Sequence, residues 1–358
     1  MKFNLGFDRF SGLYLLAVFI VVFSIMAPAT FPTMSTVHIL ASTQSIAAIA
    51  ALALLIPMVT GQFDLSIGAT AALAGVSTVL IINAGWLSAI PAVIAGVLIG
   101  TIIGAVNGFI VVKLRVNSFI ATLGMTSVLS AFLVIFTDNL DVPPTDPGLF
   151  NDLTQTKIFG FQSVFLYLIV IAIIVWWVLE RTPVGRYMHA TGGNPEAARL
   201  TGIRVDRWAW ISLITSGSLA AFAGVLFVSL TGPSVVFGET LLLPAFAAVF
   251  LGSTQLSPGK MNVWGSLIAI FVLATGVQGL QLITGVTWVA AMFNGLALIA
   301  AVALAVGRER RMSKGGGKRK AASGAHGEVD PSEAITRLEN LGVDEPTASH
   351  VGGTAADD

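Results

Sequence analysis

The sequence contains no cysteine, so disulfides and thiolate-based metal or redox sites are excluded. Its four histidines, His38, His189, His326 and His350, are scattered, and no metal-ligand spacing emerges from them. Charge is scarce too. Asp, Glu, Lys and Arg make up 11% of the 358 residues, against about 25% in soluble domains. A soluble enzyme and a nucleic-acid-binding domain are therefore both excluded, and no catalytic residue is nominated. A phosphate-binding loop is also missing: Gly259-Lys260 and Gly317-Lys318 lack the upstream Gly and the following Ser or Thr that such a loop needs.

Apolar residues fill the space that charge leaves. They make up 55% of the chain, and the mean hydropathy is +0.86. Ten apolar segments stand out, at 13–29, 39–59, 67–83, 89–112, 119–137, 162–179, 208–230, 242–251, 263–283 and 288–306. Most have the length a helix needs to cross about 30 Å of hydrocarbon. The segment at 242–251 is the shortest and is bracketed by Pro233 and Pro244, which predicts a half-helix or re-entrant piece. The first run is long for a signal-peptide core and reads as a permanent span. The expected fold is an all-α polytopic membrane protein of about ten transmembrane helices.

None of the ten segments contains an Asp, Glu, Lys, Arg or His. An ionisable group in hydrocarbon is costly and marks a proton or ion relay, so a proton-coupled carrier has no visible relay here. The few charges that exist are sorted by side. With the N-terminus inside, 18 of the 19 Lys and Arg residues fall on cytoplasmic segments, leaving only Lys157 outside. That asymmetry predicts an even number of spans with both termini cytoplasmic.

Residues 1–306 thus form one transmembrane domain containing a long inside loop at 180–207, and 307–358 form a basic, polar cytoplasmic tail expected to be largely disordered. The run 308–320 suits anionic lipid headgroups. Asp330-Pro331-Ser332-Glu333 would open a short helix ending at Gly342.

Three features stand out within the spans and loops. Gly96, Gly100, Gly104 and Gly108 recur at every fourth residue, a ridge without side chains that permits close helix packing. The stretch 105–112, with Asn107, weakly echoes 276–283, with Gln278. These two spans run in opposite directions, as two inverted five-helix halves would require. Asn107 and Gln278 are then either pathway amides or interhelical hydrogen-bond partners. In the loop, 192–195 reads as a turn and 196–201 as a short helix stopped by Gly202. A small rigid knob of this kind fits another subunit's cleft better than it fits a plain connector.

Glu196-Ala197-Ala198, followed after three residues by Gly202, resembles the coupling motif of ABC importer permeases. The stretch Gly185 to Ile203 is similar to the ribose/xylose/arabinose-type monosaccharide permeases. So are Gly61-Gln62-Phe63-Asp64-Leu65-Ser66-Ile67-Gly68, the start of the fifth span at 119–124, and Leu251-Gly252-Ser253-Thr254. Gln62 in place of Gly, the lack of an Arg-Gly in span five, and Ser257-Pro258-Gly259 depart from the family pattern.

The resemblance implies a permease subunit in a bacterial-type inner membrane. It would act with a second copy of itself, an ABC ATPase and an extracytoplasmic solute-binding protein. ATP and Mg would be held by the ATPase, and no cofactor by this chain. The coupling residues would be Gly193, Asn194, Pro195, Glu196, Ala197, Ala198 and Gly202, and the pathway residues Asp64, Ser66, Asn107 and Gln278. Asp64 is alternatively the N-cap of span three. A carrier or facilitator without an ATPase is the competing function, and a membrane scaffold the third.

The orientation is testable because the chain has no native cysteine. A single cysteine at 146 should react with an impermeant maleimide from outside, and one at 320 only from inside. The reverse pattern at either position would refute the topology.

Overall fold

The computed structural model describes residues 7–145, 147–256 and 259–303. The tail from 307, the expected helix after Asp330, Asp146 and Ser257-Pro258 lie outside the described residues. Among those described there are thirteen helices and one small hairpin. The apolar helices are α1 (Phe7–Met26), α2 (Met34–Val59), α3 (Ile67–Asn83), α4 (Ala89–Val112) and α5 (Ser118–Thr137).

A short α6 (Gly148–Gln155) and the antiparallel pair β1 (Lys157–Ile158) and β2 (Phe161–Gln162) follow. They occupy the loop that the sequence left without structure, so the fold is helical apart from two residue pairs. Next come α7 (Ser163–Arg181), α8 (Pro183–Gly193), α9 (Pro195–Leu200), α10 (Val205–Thr231), α11 (Phe237–Ser253), α12 (Val263–Thr284) and α13 (Trp288–Ala303).

Ten of these helices fall on the ten apolar segments. Six of them, α2, α4, α5, α7, α10 and α12, are long and apolar enough to cross a membrane by length and composition. The apolar part of α1 (Phe10–Met26), α3, α11 and α13 are shorter. The segment expected to be shortest is corrected: α11 has 17 residues and carries Pro244 within it rather than at its edge.

Side-chain oxygens fix several helix starts. Asn117 accepts from Phe119 N at the start of α5, and Asn262 from Gly265 N at the start of α12. Asp138 and Gly285 close α5 and α12 in the left-handed conformation, which ends the hydrogen-bond ladder without a further turn.

Helix α2 is the buried axis: from Ser45 to Val59 every residue is buried. It packs against α10, α11, α12 and α7. By contrast, α4 shows Ile94, Leu98 and Ile102 on an open face, and α5 shows Phe132 and Ile135, as helices bounded by lipid do.

Where lipid tails are as apolar as leucine, helices associate through tight packing rather than hydrophobicity. Here that packing centres on α10. A side chain at Gly96 would meet Thr78 and Val225; at Gly100, Ala221 and Gly217; at Gly104, Leu213 and Ile214; and at Gly108, Trp210. On its other flank α10 meets α3, where a Cβ on Gly75 would come 2.7 Å from Gly224 O. Helices α3 and α11, both 17 residues long, meet at the second residue of each, Gly68 and Gly238.

Replacing Gly100 or Gly104 by Leu should lower the yield of monodisperse protein and its thermal stability in detergent. Overpacking of this kind costs about 1–3 kcal/mol or more, and here the obstructing atoms include backbone. Normal stability with altered solute preference would show that the ridge lines the pathway instead.

Candidate coupling and translocation site

The loop between α2 and α3 exposes Gly61 and Phe63 but then turns inward. Asp64 and Ser66 are buried in it, and Asn107 on α4 is buried beside it. The Asp64 carboxylate accepts three hydrogen bonds: Ser66 N at 3.0 Å and Ser66 Oγ at 2.6 Å on Oδ1, and Ser216 Oγ at 2.7 Å on Oδ2. Ser66 Oγ in turn accepts from Asn107 Nδ2 at 2.8 Å.

This chain of bonds ties the loop to α4 and to the middle of α10. It replaces the solvation that burial removes, since an unpaired buried polar group costs about 1–3 kcal/mol. Asp64 is not the N-cap of α3. Ser66 holds that position with helical φ and ψ and no side-chain cap, so the chain has already turned by Ser66 and the carboxylate reaches its amide from two residues upstream. Asn107 Oδ1 and Thr70 Oγ1 are buried without a partner among the described residues.

Helix α5 holds the same loop from another side through hydroxyls spaced four residues apart. Ser118 Oγ accepts from Phe63 N at 3.1 Å and Thr122 Oγ1 from Leu65 N at 3.0 Å, while Thr126 Oγ1 donates to Leu65 O at 3.2 Å. These three, together with Ser216, were missed by sequence reasoning. The i, i+4, i+8 recurrence of hydroxyls at 118, 122 and 126 was the available signal.

Two helices, not one, occupy the expected coupling loop. Helix α8 runs through Gly192 and Gly193, so the turn narrows to Asn194, whose side chain caps α9 by accepting from Ala197 N at 3.0 Å. Pro195 supplies the fixed first-turn φ, and Gly202 at φ +83° ends the segment. On α9, Glu196, Ala197 and Leu200 face outward, Leu200 being 91% exposed, whereas Ala198 is 4% exposed. The two alanines therefore do not form one outward face: successive helix residues are about 100° apart, and Ala198 turns into this chain.

The end of α8 rests directly on the loop between α2 and α3. A Cβ on Gly192 would strike Val59 O and come within 3.0 Å of Gly61 N, so only glycine permits this approach. One residue along, Thr60 Oγ1 bonds Ser212 Oγ at 2.9 Å. Asp206, at the start of α10, pairs with Arg115 from the α4–α5 connection and Arg199 from α9, both at 2.9 Å. Each exposed pair is worth only about 0–1 kcal/mol, yet the shared carboxylate fixes three segments relative to one another.

Of the expected pathway residues, the structure brings Asp64, Ser66 and Asn107 together and closes them from solvent. Gln278, half-buried on α12, takes no part in the network. Among the described residues no three His, Asp or Glu side chains group to hold a metal ion.

A family model described as branched-chain amino acid transport system / permease component matches residues 35–302. The chain is 34% identical over 276 residues to the ribose import permease protein RbsC of Escherichia coli (strain K12), covering 76% of this chain and 85% of that one. It is 31% identical over 309 residues to the L-arabinose transport system permease protein AraH of the same strain, covering 84% and 92%. It is 27% identical over 304 residues to that strain's D-allose transport system permease protein AlsC, covering 85% and 93%.

Replacing Asp64 by Leu leaves three donors without their acceptor. The thermal midpoint of the purified protein should fall markedly, as a loss of about 2–4 kcal/mol implies. Asp64→Asn keeps one acceptor oxygen and should fall less. Equal stability of both variants to the parent would show that the network does not bind the loop.

Proposed function

The chain belongs to the branched-chain amino acid transport system / permease component family, and on that premise we propose that it is the membrane subunit of an ATP-driven monosaccharide importer. The named relatives that transport ribose, arabinose and allose support a sugar as solute. A second copy of this chain, an ABC ATPase holding ATP and Mg, and an extracytoplasmic solute-binding protein complete the assembly in this reading. The chain lies in the inner membrane with ten crossings and both termini cytoplasmic. Its two halves are inverted about the Gly68–Gly238 meeting point, which is the same position on two helices of equal length.

One observation carries the coupling role: α9 exposes an apolar side chain, Leu200, on a segment that sits on the Asp64 loop. A 91% exposed leucine beside exposed Glu196 and Ala197 has the composition of an interface centre with a charged rim. The ATPase covers this face. When it closes on ATP, α8 and α9 move together, and Gly192 transmits the push to Val59 and Gly61. The loop then shifts against α4, α5 and α10. Asp64, Ser66 and Asn107 belong to the gate in this conformation, and with Gln278 they flank the solute route once the helices part.

Exposed and buried positions on α9 should separate in mutagenesis. Glu196→Lys and Leu200→Asp should leave the bundle inserted and stable while reducing ATPase co-purification about tenfold or more and abolishing ATP-dependent sugar uptake in proteoliposomes. Ala198→Trp should instead destabilise the chain itself. The importer reading fails if the chain alone, without an ATPase, equilibrates ribose or arabinose across liposomes and Glu196→Lys leaves that rate unchanged.

A further inference from the structure

A cavity of about 740 Å³ opens where α4 ends and α10 begins. Its rim carries Lys113, Arg204 and Arg207, and its walls include Val112, Ile211 and Ile214. The one acid lining it, Asp206, is already held by Arg115 and Arg199 at 2.9 Å each. Three cations therefore face the cavity without a carboxylate partner among the described residues. The tryptophan beside them does not serve a ligand either, because Trp210 Nε1 donates to Ala105 O at 3.0 Å.

The rim alone would suit any phosphate. The walls narrow the choice, because Ile211 and Ile214 lie three residues apart on one face of α10, deeper along the helix than Arg204 and Arg207. Basic groups at one level with an apolar slot above them match a headgroup joined to an acyl chain, whereas a free anion would leave the slot empty.

We propose that this cavity binds one anionic phospholipid, its phosphate on Lys113, Arg204 and Arg207 and its acyl chain against Val112, Ile211 and Ile214. The site lies at the end of the bundle that carries α8 and α9, so the proposal rests on the orientation given above, which places that end in the cytoplasmic leaflet. Bound there, the lipid neutralises the cations next to Asp206. They then do not compete with Arg115 and Arg199 for its carboxylate, and the clamp on α9 is kept.

The full-length protein, purified from vesicles of phosphatidylcholine and phosphatidylglycerol, is examined by native mass spectrometry for retained lipid. Juxtamembrane basic residues each strengthen binding to anionic lipid about fivefold, so Lys113→Gln/Arg204→Gln/Arg207→Gln should lower phosphatidylglycerol retention at least about tenfold. Ile214→Trp, which fills the slot with the charges intact, should also weaken retention.

A control with Arg181, Arg186 and Lys260 changed to Gln should retain lipid as the parent does, and millimolar inorganic phosphate should not displace it. Equal retention by the first triple variant, equal loss in the control, or displacement by phosphate would overturn the proposal. The last outcome would assign a free-anion site. Cysteine labelling reads the orientation separately: lipid retained by a protein with inverted labelling would refute the topology and leave the site.

Discussion

The approach of α10 to α4 and α3 at backbone distance is the contact on which the rest of this bundle depends. A helix interior offers its neighbours no hydrophobic advantage over lipid, so contact must come from fit. Gly100, Gly104 and Gly217 supply that fit on one flank, and Gly75 and Gly224 on the other. Because the three helices sit so close, Ser216 lies within hydrogen-bond reach of Asp64, and Asn107 within reach of Ser66. A looser bundle would leave a carboxylate stranded in an apolar interior, where an unpaired charge is not tolerated.

The same tightness stiffens what α8 and α9 rest on. Short helices on a membrane protein's surface transmit force only if what they touch is stiff. Here α8 meets the end of α2 and the loop after it through Gly192, and α9 is fastened to α10 by Asp206. The loop is itself tied to α5 through Ser118, Thr122 and Thr126. Displacement of α9 therefore has a continuous path of packed or hydrogen-bonded groups to the helices around Asp64. The hydroxyls in that path, Ser66, Ser118, Thr122, Thr126 and Ser216, join Asp64 and Asn107 in holding the loop against three helices.

Charge economy follows from the same arrangement. Apart from Asp64, the ionisable groups with described partners lie at the bundle ends, and the two ion pairs share one aspartate at the end that carries α9. Basic residues not consumed by Asp206 remain at the bundle surface.

How much of this was legible in the sequence depends on the range of the physics involved. The ten apolar helices were legible because each is a local run of residues that must satisfy its own backbone in a water-poor environment, and the limits of α3 and α4 coincide with the expected ones. The glycine ridge of α4 was legible from its four-residue period, and the α9 knob from Pro195 and Gly202. What the sequence could not show was which residues a ridge or knob would meet. That Ser216 would bond Asp64 across 152 positions, that Ala198 would turn inward while Leu200 turned outward, and that Gly192 would admit Val59 are consequences of how separate helices pack. The sequence by itself determined the helices and the chemistry each carries; only the tertiary structure decided which groups share a bond, because that depends on distances between segments that no local pattern encodes.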